Sequence, residues 1–339
     1  MSINTLAHWS RLALSLALSA LLTLPAPLVA QAQQVQSFSG RATVVRATVL
    51  GITTVISDTG PLPGSGGSLE ASLLEASVPG LAAARVAHAS TVGQGNASRS
   101  EASVADLSLT VGGNTIAADF LMARALAACT NSGPTASGTS EIVGLTINGQ
   151  AVTVTGQPNQ TIPLPGGRVV INEQRSSADN KSADITVNAL HVIIDGVADV
   201  VISSAHADVA CTGPPVCPGG DFVTGGGWIN TPSGARGNFG VAGGIKNGAF
   251  WGHLVYIDHG TGLKVKGTGV TMYQVTGPTS RHIEGTAEVN GQPGFTYQVD
   301  VADNGEPGRN DTFALGLSNG YKAGGTLQGG NIQLHSPCK

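Results

Sequence analysis

Ten residues divide this chain: Cys211-Thr212-Gly213-Pro214-Pro215-Val216-Cys217-Pro218-Gly219-Gly220. Two cysteines, three prolines and three glycines fall in that stretch. Proline fixes φ and lacks a backbone donor, and glycine weakens any regular element, so neither a helix nor a central strand can run through it. The residues before it read as one β-rich body closing at Cys211. Those after it read as a second body, different in composition, running from Cys217 to Cys338. With 339 residues, the chain can supply two domains that each bury a core.

The first 32 residues have the pattern of a secretory leader. Arg11 precedes an apolar run from Leu12 to Leu24, Pro25 and Pro27 break it, and Ala30-Gln31-Ala32 offers cleavage before Gln33. The run is short for a membrane span, and no second stretch of about eighteen apolar residues follows. The product is expected to be secreted into the extracellular space, with no membrane span in the mature chain. Charged residues make up 11% and the net charge is −4, without a basic stripe, so no nucleic-acid partner is expected.

In an oxidising compartment Cys129, Cys211, Cys217 and Cys338 are expected to form disulfides. Three pairings are open. The order of the bodies favours Cys129–Cys211 and Cys217–Cys338.

The first body, 33–211, alternates in the period of half-buried strands, with Thr43, Val45, Ala47 and Val49 as an early example. Ser68 to Ala84 is the one passage that could hold a short helix, through Leu69, Leu73 and Leu74, stopped at Val78-Pro79-Gly80. An internal repeat covers 85–129 and 168–211. Leu107, Leu109 and Val111 match Leu190, Val192 and Ile194, the turns are Gly112-Gly113-Asn114 and Asp195-Gly196, and each copy ends in Ala-Cys-Thr. Such turns between alternating runs signal hairpins. The expectation is a duplicated, small-residue sheet. His88, His191 and His206 stand singly in strand patterns and are assigned no chemistry; Arg124 reads as an edge or solvent-reaching side chain.

After a Pro/Gly linker at 212–220, the second body, 221–339, carries all four tyrosines and five of the seven phenylalanines. Short strands alternate with turns such as Asn247-Gly248, Asn290-Gly291 and Asn319-Gly320, which predicts a β-sandwich or flattened barrel of seven to nine strands. The fold class is therefore all-β, in two antiparallel domains.

Two constellations in the second body could carry function. Asp300, Asp303, Asn304, Glu306 and Asp311 supply oxygens that could contribute to a calcium site, although the same residues suit a solvated turn. No other cofactor is expected. Trp251, His253 and Tyr256 could contact sugar rings, although aromatics in strand patterns usually pack in cores. Alternation sets Trp251, His253 and Val255 on one face and Gly252, Leu254 and Tyr256 on the other. Gly-x-Ser-x-Gly, His-Glu-x-x-His and phosphate-loop motifs are absent, and Glu284 and Glu288 are indistinguishable from surface carboxylates.

Taken as a whole, the chain resembles the exported bacterial choice-of-anchor proteins of the P type, with the small β domain that often follows such a module. The resemblance rests on Phe38-Ser39-Gly40-Arg41-Ala42, the Ala-Asp-Val-Ala-Cys ending at Cys211, and Phe222-Val223-Thr224-Gly225-Gly226-Gly227-Trp228-Ile229. Trp251-Gly252-His253-Leu254, Lys264-Val265-Lys266-Gly267-Thr268 and Asp303-Asn304-Gly305-Glu306-Pro307-Gly308 extend it. It implies a bacterial cell-surface or secreted protein and supplies no catalytic residues. The function expected is a non-enzymatic structural or adhesive one, with a carbohydrate-binding protein as the alternative and an unrecognised hydrolase behind both. The partner expected is a cell-surface polysaccharide or another surface protein.

Overall fold

The computed structural model describes residues 35–130, 132–211, 220–246 and 248–335, all within one compact unit. Every regular element among them is a strand. The chain opens with a hairpin of β1 (Val35–Val49) and β2 (Ile52–Asp58). An antiparallel run follows: β3 (Gly67–Val78), β4 (Ala82–Gln94), β5 (Ala97–Val111), β6 (Asn114–Thr130) and β7 (Gly133–Val143). Two short strands, β8 (Thr146–Ile147) and β9 (Gln150–Ala151), complete this sheet, β8 sharing the outer edge of β6 with β7. A second meander comprises β10 (Gln160–Leu164), β11 (Gly167–Ala178), β12 (Ser182–Ile194) and β13 (Ala198–Cys211). The first hairpin returns to it through β1, giving the order β10-β11-β12-β13-β1-β2.

The β1 sheet and the β5 sheet stack on one core of small residues, including Ala42, Val44, Ala102, Val104, Leu121, Val187 and Val200. Because alanine and valine fill the inward positions, the layers come close. A Cβ at Gly138 of β7 would stand 2.3 Å from Val187 on β12. The repeated segments appear as β4-β5-β6 in one sheet and β11-β12-β13 in the other. Their final strands are joined by the Cys129–Cys211 disulfide, Cα to Cα 5.7 Å. The other expected pairing, Cys217–Cys338, lies outside the described residues.

The helix considered for Ser68 to Ala84 is not formed. Those residues make β3, the turn and the start of β4, paired from Gly67↔Gly93 to Val78↔Ala82. Pro79-Gly80, read as a helix stop, is the hairpin turn: Gly80 has φ +73° and the Leu81 amide donates to the Val78 carbonyl at 3.0 Å. A neighbouring alanine-rich strand that can pair along its whole length outweighs a weak helical spacing of leucines.

The last nine strands form a single curled sheet. They are β14 (Phe222–Asn230), β15 (Arg236–Lys246), β16 (Ala249–Asp258), β17 (Leu263–Val275), β18 (Ser280–Val289), β19 (Gln292–Ala302), β20 (Thr312–Leu317), β21 (Lys322–Thr326) and β22 (Gly329–His335). The last strand lies beside β14, with Phe222 opposite His335. Aromatics fill the concave side. Phe239 stacks on Phe313 with ring centroids 3.9 Å apart, and Tyr256 and Tyr297 are fully buried beside them.

The other side of β14, β15 and β16 rests on β4 and β5. Val86 and Ala105 meet Val255 and Ile257 there. Glycine makes the approach possible: a Cβ at Gly226 would lie 2.6 Å from Ser103 Oγ, and one at Gly240 would lie 3.0 Å from the His88 Cβ. The glycine-weighted run before Trp228 thus lets two sheets touch almost backbone to side chain.

Candidate functional site

The loop between β19 and β20 is built by its carboxylates. Asp303 accepts the Gly305 amide at 3.1 Å and the Leu334 amide at 2.9 Å. Asp311 accepts the Asn304 amide and, from β22, the Ile332 amide, both at 2.8 Å. The Asn304 side chain donates to the Asn310 carbonyl at 2.8 Å, and Glu306 accepts from Asn331 at 3.2 Å. Asp300 points elsewhere, pairing with His282 at 2.7 Å. The five oxygen-bearing residues proposed for calcium therefore do not converge, and four of them tie the loop to itself and to β22. Among the described residues no group of three His, Cys, Asp or Glu is placed to hold a metal ion.

The three candidate sugar-contact residues separate as alternation in β16 requires. Tyr256 lies in the core with no exposed surface, and its hydroxyl meets that of Tyr321 at 2.8 Å. Burial pushes the Tyr256 hydroxyl up to about 12. A sugar cannot reach this ring, so the assignment of Tyr256 is corrected. Trp251 is half-buried, tilted against Phe222 at 5.6 Å with the Lys246 ammonium 5.9 Å from its ring centre. His253 is turned toward the β5 sheet. Its Nε2 lies 2.6 Å from Ser72 Oγ and 3.3 Å from His88 Nδ1, and its Nδ1 lies 2.9 Å from Glu70. His88, fully buried, is held well below the usual histidine range by desolvation and by His253. Ser72, His253 and Glu70 have the spacing of a nucleophile, base and orienting acid. Ser72 lines neither of the depressions described next, and the cluster joins two sheets.

A depression of about 270 Å³ opens where β5, β6 and β7 meet the β19–β20 loop and β22. A second, about 730 Å³, continues it past Arg124, Thr139 and Pro307 toward Glu141 and Arg309. In the first, Arg99 and Glu101 project from the same face of β5, and Glu101 stands directly across from Arg124 of β6. Burial pushes the Glu101 carboxyl up to about 8, with Glu306 and Asp311 adding to the rise and Arg124 and Asn331 opposing it. Its uncharged form is therefore the main one at neutral pH. Arg99 is lowered by desolvation, opposed by Glu306 and Asp303, but as a guanidinium it keeps its charge. Behind it His335, buried and stacked on Phe222, is held down at about 3 by burial and by Arg99. Arg124, read from the sequence as an edge residue, bonds Thr139 Oγ1 and the Pro307 carbonyl, each at 3.2 Å.

Of the charged residues lining this first depression, only Arg124 and Glu306 stand out in the sequence. The signal existed. Counting back along the hairpin from the Gly112-Gly113 turn sets Glu101 opposite Arg124. The lone strand histidines also have partners: His191 lies 2.8 Å from Glu173 and 3.2 Å from Asp199, and His206 lies 2.7 Å from Asp184. Glu284 joins a surface network with His282 and Gln298, each at 3.1 Å.

No protein-family profile matches the chain, and no curated protein matches it. Solved structures that align with it include a Nitrosomonas europaea protein with a provisional AttH assignment. That protein is 8% identical over 89% of this chain and 93% of its own, with a TM-score of 0.21. Another is transferrin binding protein B from Haemophilus parasuis, 9% identical over 90% of this chain and 77% of its own, with a TM-score of 0.16. At these scores the likeness carries no argument about function.

Proposed function

We propose that this chain is an exported, non-enzymatic structural or adhesive protein of the bacterial surface or medium, meeting its partner along the seam between the β5 sheet and the nine-stranded sheet. The partner proposed is a cell-surface polysaccharide. The observation that carries the reading is the pair of continuous depressions at that seam, open to solvent and walled by guanidinium, carboxyl, hydroxyl and amide groups. A polymer of hydroxylated rings can lie along such a trough and exchange water hydrogen bonds for protein ones. Export is supported by the leader-like first 32 residues and by the buried Cys129–Cys211 bond, which suits an oxidising compartment. A surface role is also supported at the β1–β2 turn, where Leu50 and Ile52 are 74% and 75% exposed.

Depletion of the oxidised protein from solution by insoluble polysaccharides and cell-wall fractions tests this. Saturable loss to one polymer, reversed by its soluble fragments, is expected. Retention in solution against every polymer would remove the polysaccharide reading and leave a protein-contacting role.

A further inference from the structure

The smaller depression has an unusual balance of charge and bonding. The Arg99 side chain lines it, largely withdrawn from solvent, and makes no hydrogen bond to a described residue, although Glu306 and Asp303 are near enough to act on its charge. Arg124, one strand over on the same face, uses Nε and Nη1 on Thr139 and Pro307 and leaves Nη2 without an acceptor among the described residues. Glu101 stands between these two cations. The remaining acid at the wall, Glu306, is exposed and already accepts from Asn331.

A partly desolvated guanidinium with unused donors is costly unless something accepts from it. Two of them, a diagonal step apart on one sheet face, present N–H groups in planar forks that match a carboxylate. Ser137, Thr139 and Gln333 add neutral hydrogen-bonding groups around the same space. At about 270 Å³, just below the usual range of small-molecule pockets, the space suits one ring and its substituents. Arg309 lies in the adjoining depression, where a continuing chain would run.

We infer that the seam binds an acidic glycan, with the carboxylate of a uronic acid residue received by Arg99 and Arg124. This rests on the polysaccharide reading above and narrows it to one chemical class. The uncharged state of Glu101 fits that role, because a protonated carboxyl donates to a ligand oxygen and adds no repulsion. The charged groups that act on Glu101 are Arg124 from β6 and Glu306 and Asp311 from the loop, with the Asn331 side chain of β22 hydrogen-bonded to it; those around Arg99 are Glu306 and Asp303 from the loop and His335 of β22.

Titration with oligogalacturonate, its methyl ester, a sulfated dextran and a neutral glucan oligomer, all at one ionic strength, tests the inference. The acid should bind, and the methyl ester should bind about tenfold or more weakly. Arg99→Gln should produce a similar loss for the acid alone, with Arg124→Gln as the second variant should the first fail to fold. Equal affinity for acid and ester, or an unchanged affinity in a folded Arg99→Gln protein, would overturn the inference. Binding of the neutral glucan alone would overturn the carboxylate and leave the polysaccharide reading standing. Preference for sulfated dextran over the uronate would reassign the site to a tetrahedral anion. Failure of all four to bind would remove both readings.

Discussion

Cys129 and Cys211 close equivalent strands of two copies of one three-strand unit, and they are bonded to each other across the core those copies share. The bond is buried on both sides and spans 82 residues of sequence. Closing a loop of that length restricts the unfolded chain and is worth on the order of 4 kcal/mol. Cys129→Ala, Cys211→Ala and the double variant should therefore lose similar stability in urea unfolding. A double variant much less stable than either single one would show that the thiols contribute beyond the cross-link.

Glu101 predicts an alkaline loss of stability. Its carboxyl is raised from 4.5 to about 8 in the folded state, so the folded protein holds a proton the unfolded chain has released. The contribution is complete below the unfolded value and disappears as pH rises through about 8. Between pH 7 and 9 the stability should fall by about 1 kcal/mol from this group alone. In Glu101→Gln that portion of the fall should vanish. Equal slopes in the two proteins would place the ionisation elsewhere.

Tyr256 and Trp251, five residues apart in one strand, should respond very differently to truncation. Tyr256→Ala empties a site inside the nine-stranded sheet and should cost about 3–5 kcal/mol. Trp251→Ala loses a tilted contact with Phe222 and a lysine near the ring, together about 1 kcal/mol. Comparable destabilisation by thermal melting would contradict their assignment to opposite faces of β16.

Gly138 tests how closely the first two sheets approach. Its substitution by alanine sets a Cβ 2.3 Å from Val187 and 2.9 Å from Ile185. The expected cost is about 1–3 kcal/mol, and pairing it with Val187→Ala should recover some of the loss. A neutral Gly138→Ala would mean the layers can move apart freely.

Much of this architecture follows from local rules. Asn290-Gly291 has φ of 50° and 76°, the turn that joins two twisted strands without splaying them, and β18 and β19 pair on either side of it. The alternation of Leu107, Leu109 and Val111 places all three in the core. The seam was less legible because it depends on how separate sheets dock. Ser72 and His253 meet across 181 residues of sequence, and no periodicity in either strand indicates that. The calcium reading failed to find geometric support for a related reason. The oxygens of Asp303 and Asp311 are directed by the amides of β22, which enter from a distant segment of the chain.

The adjacency of Phe222 and His335 has a mechanical side. Neighbouring antiparallel strands drawn from the same end unzip, losing their backbone pairs in succession, whereas strands drawn from opposite ends resist together. Traction between residues 222 and 335 would act on β14 and β22 in the first of these geometries. Traction between Val35 and Cys211 would act likewise on β1 and β13. At Cys211 the covalent tie to Cys129 passes some of the pull into β6. Pulled at those points, both strand pairs would open one backbone pair at a time rather than resist in shear.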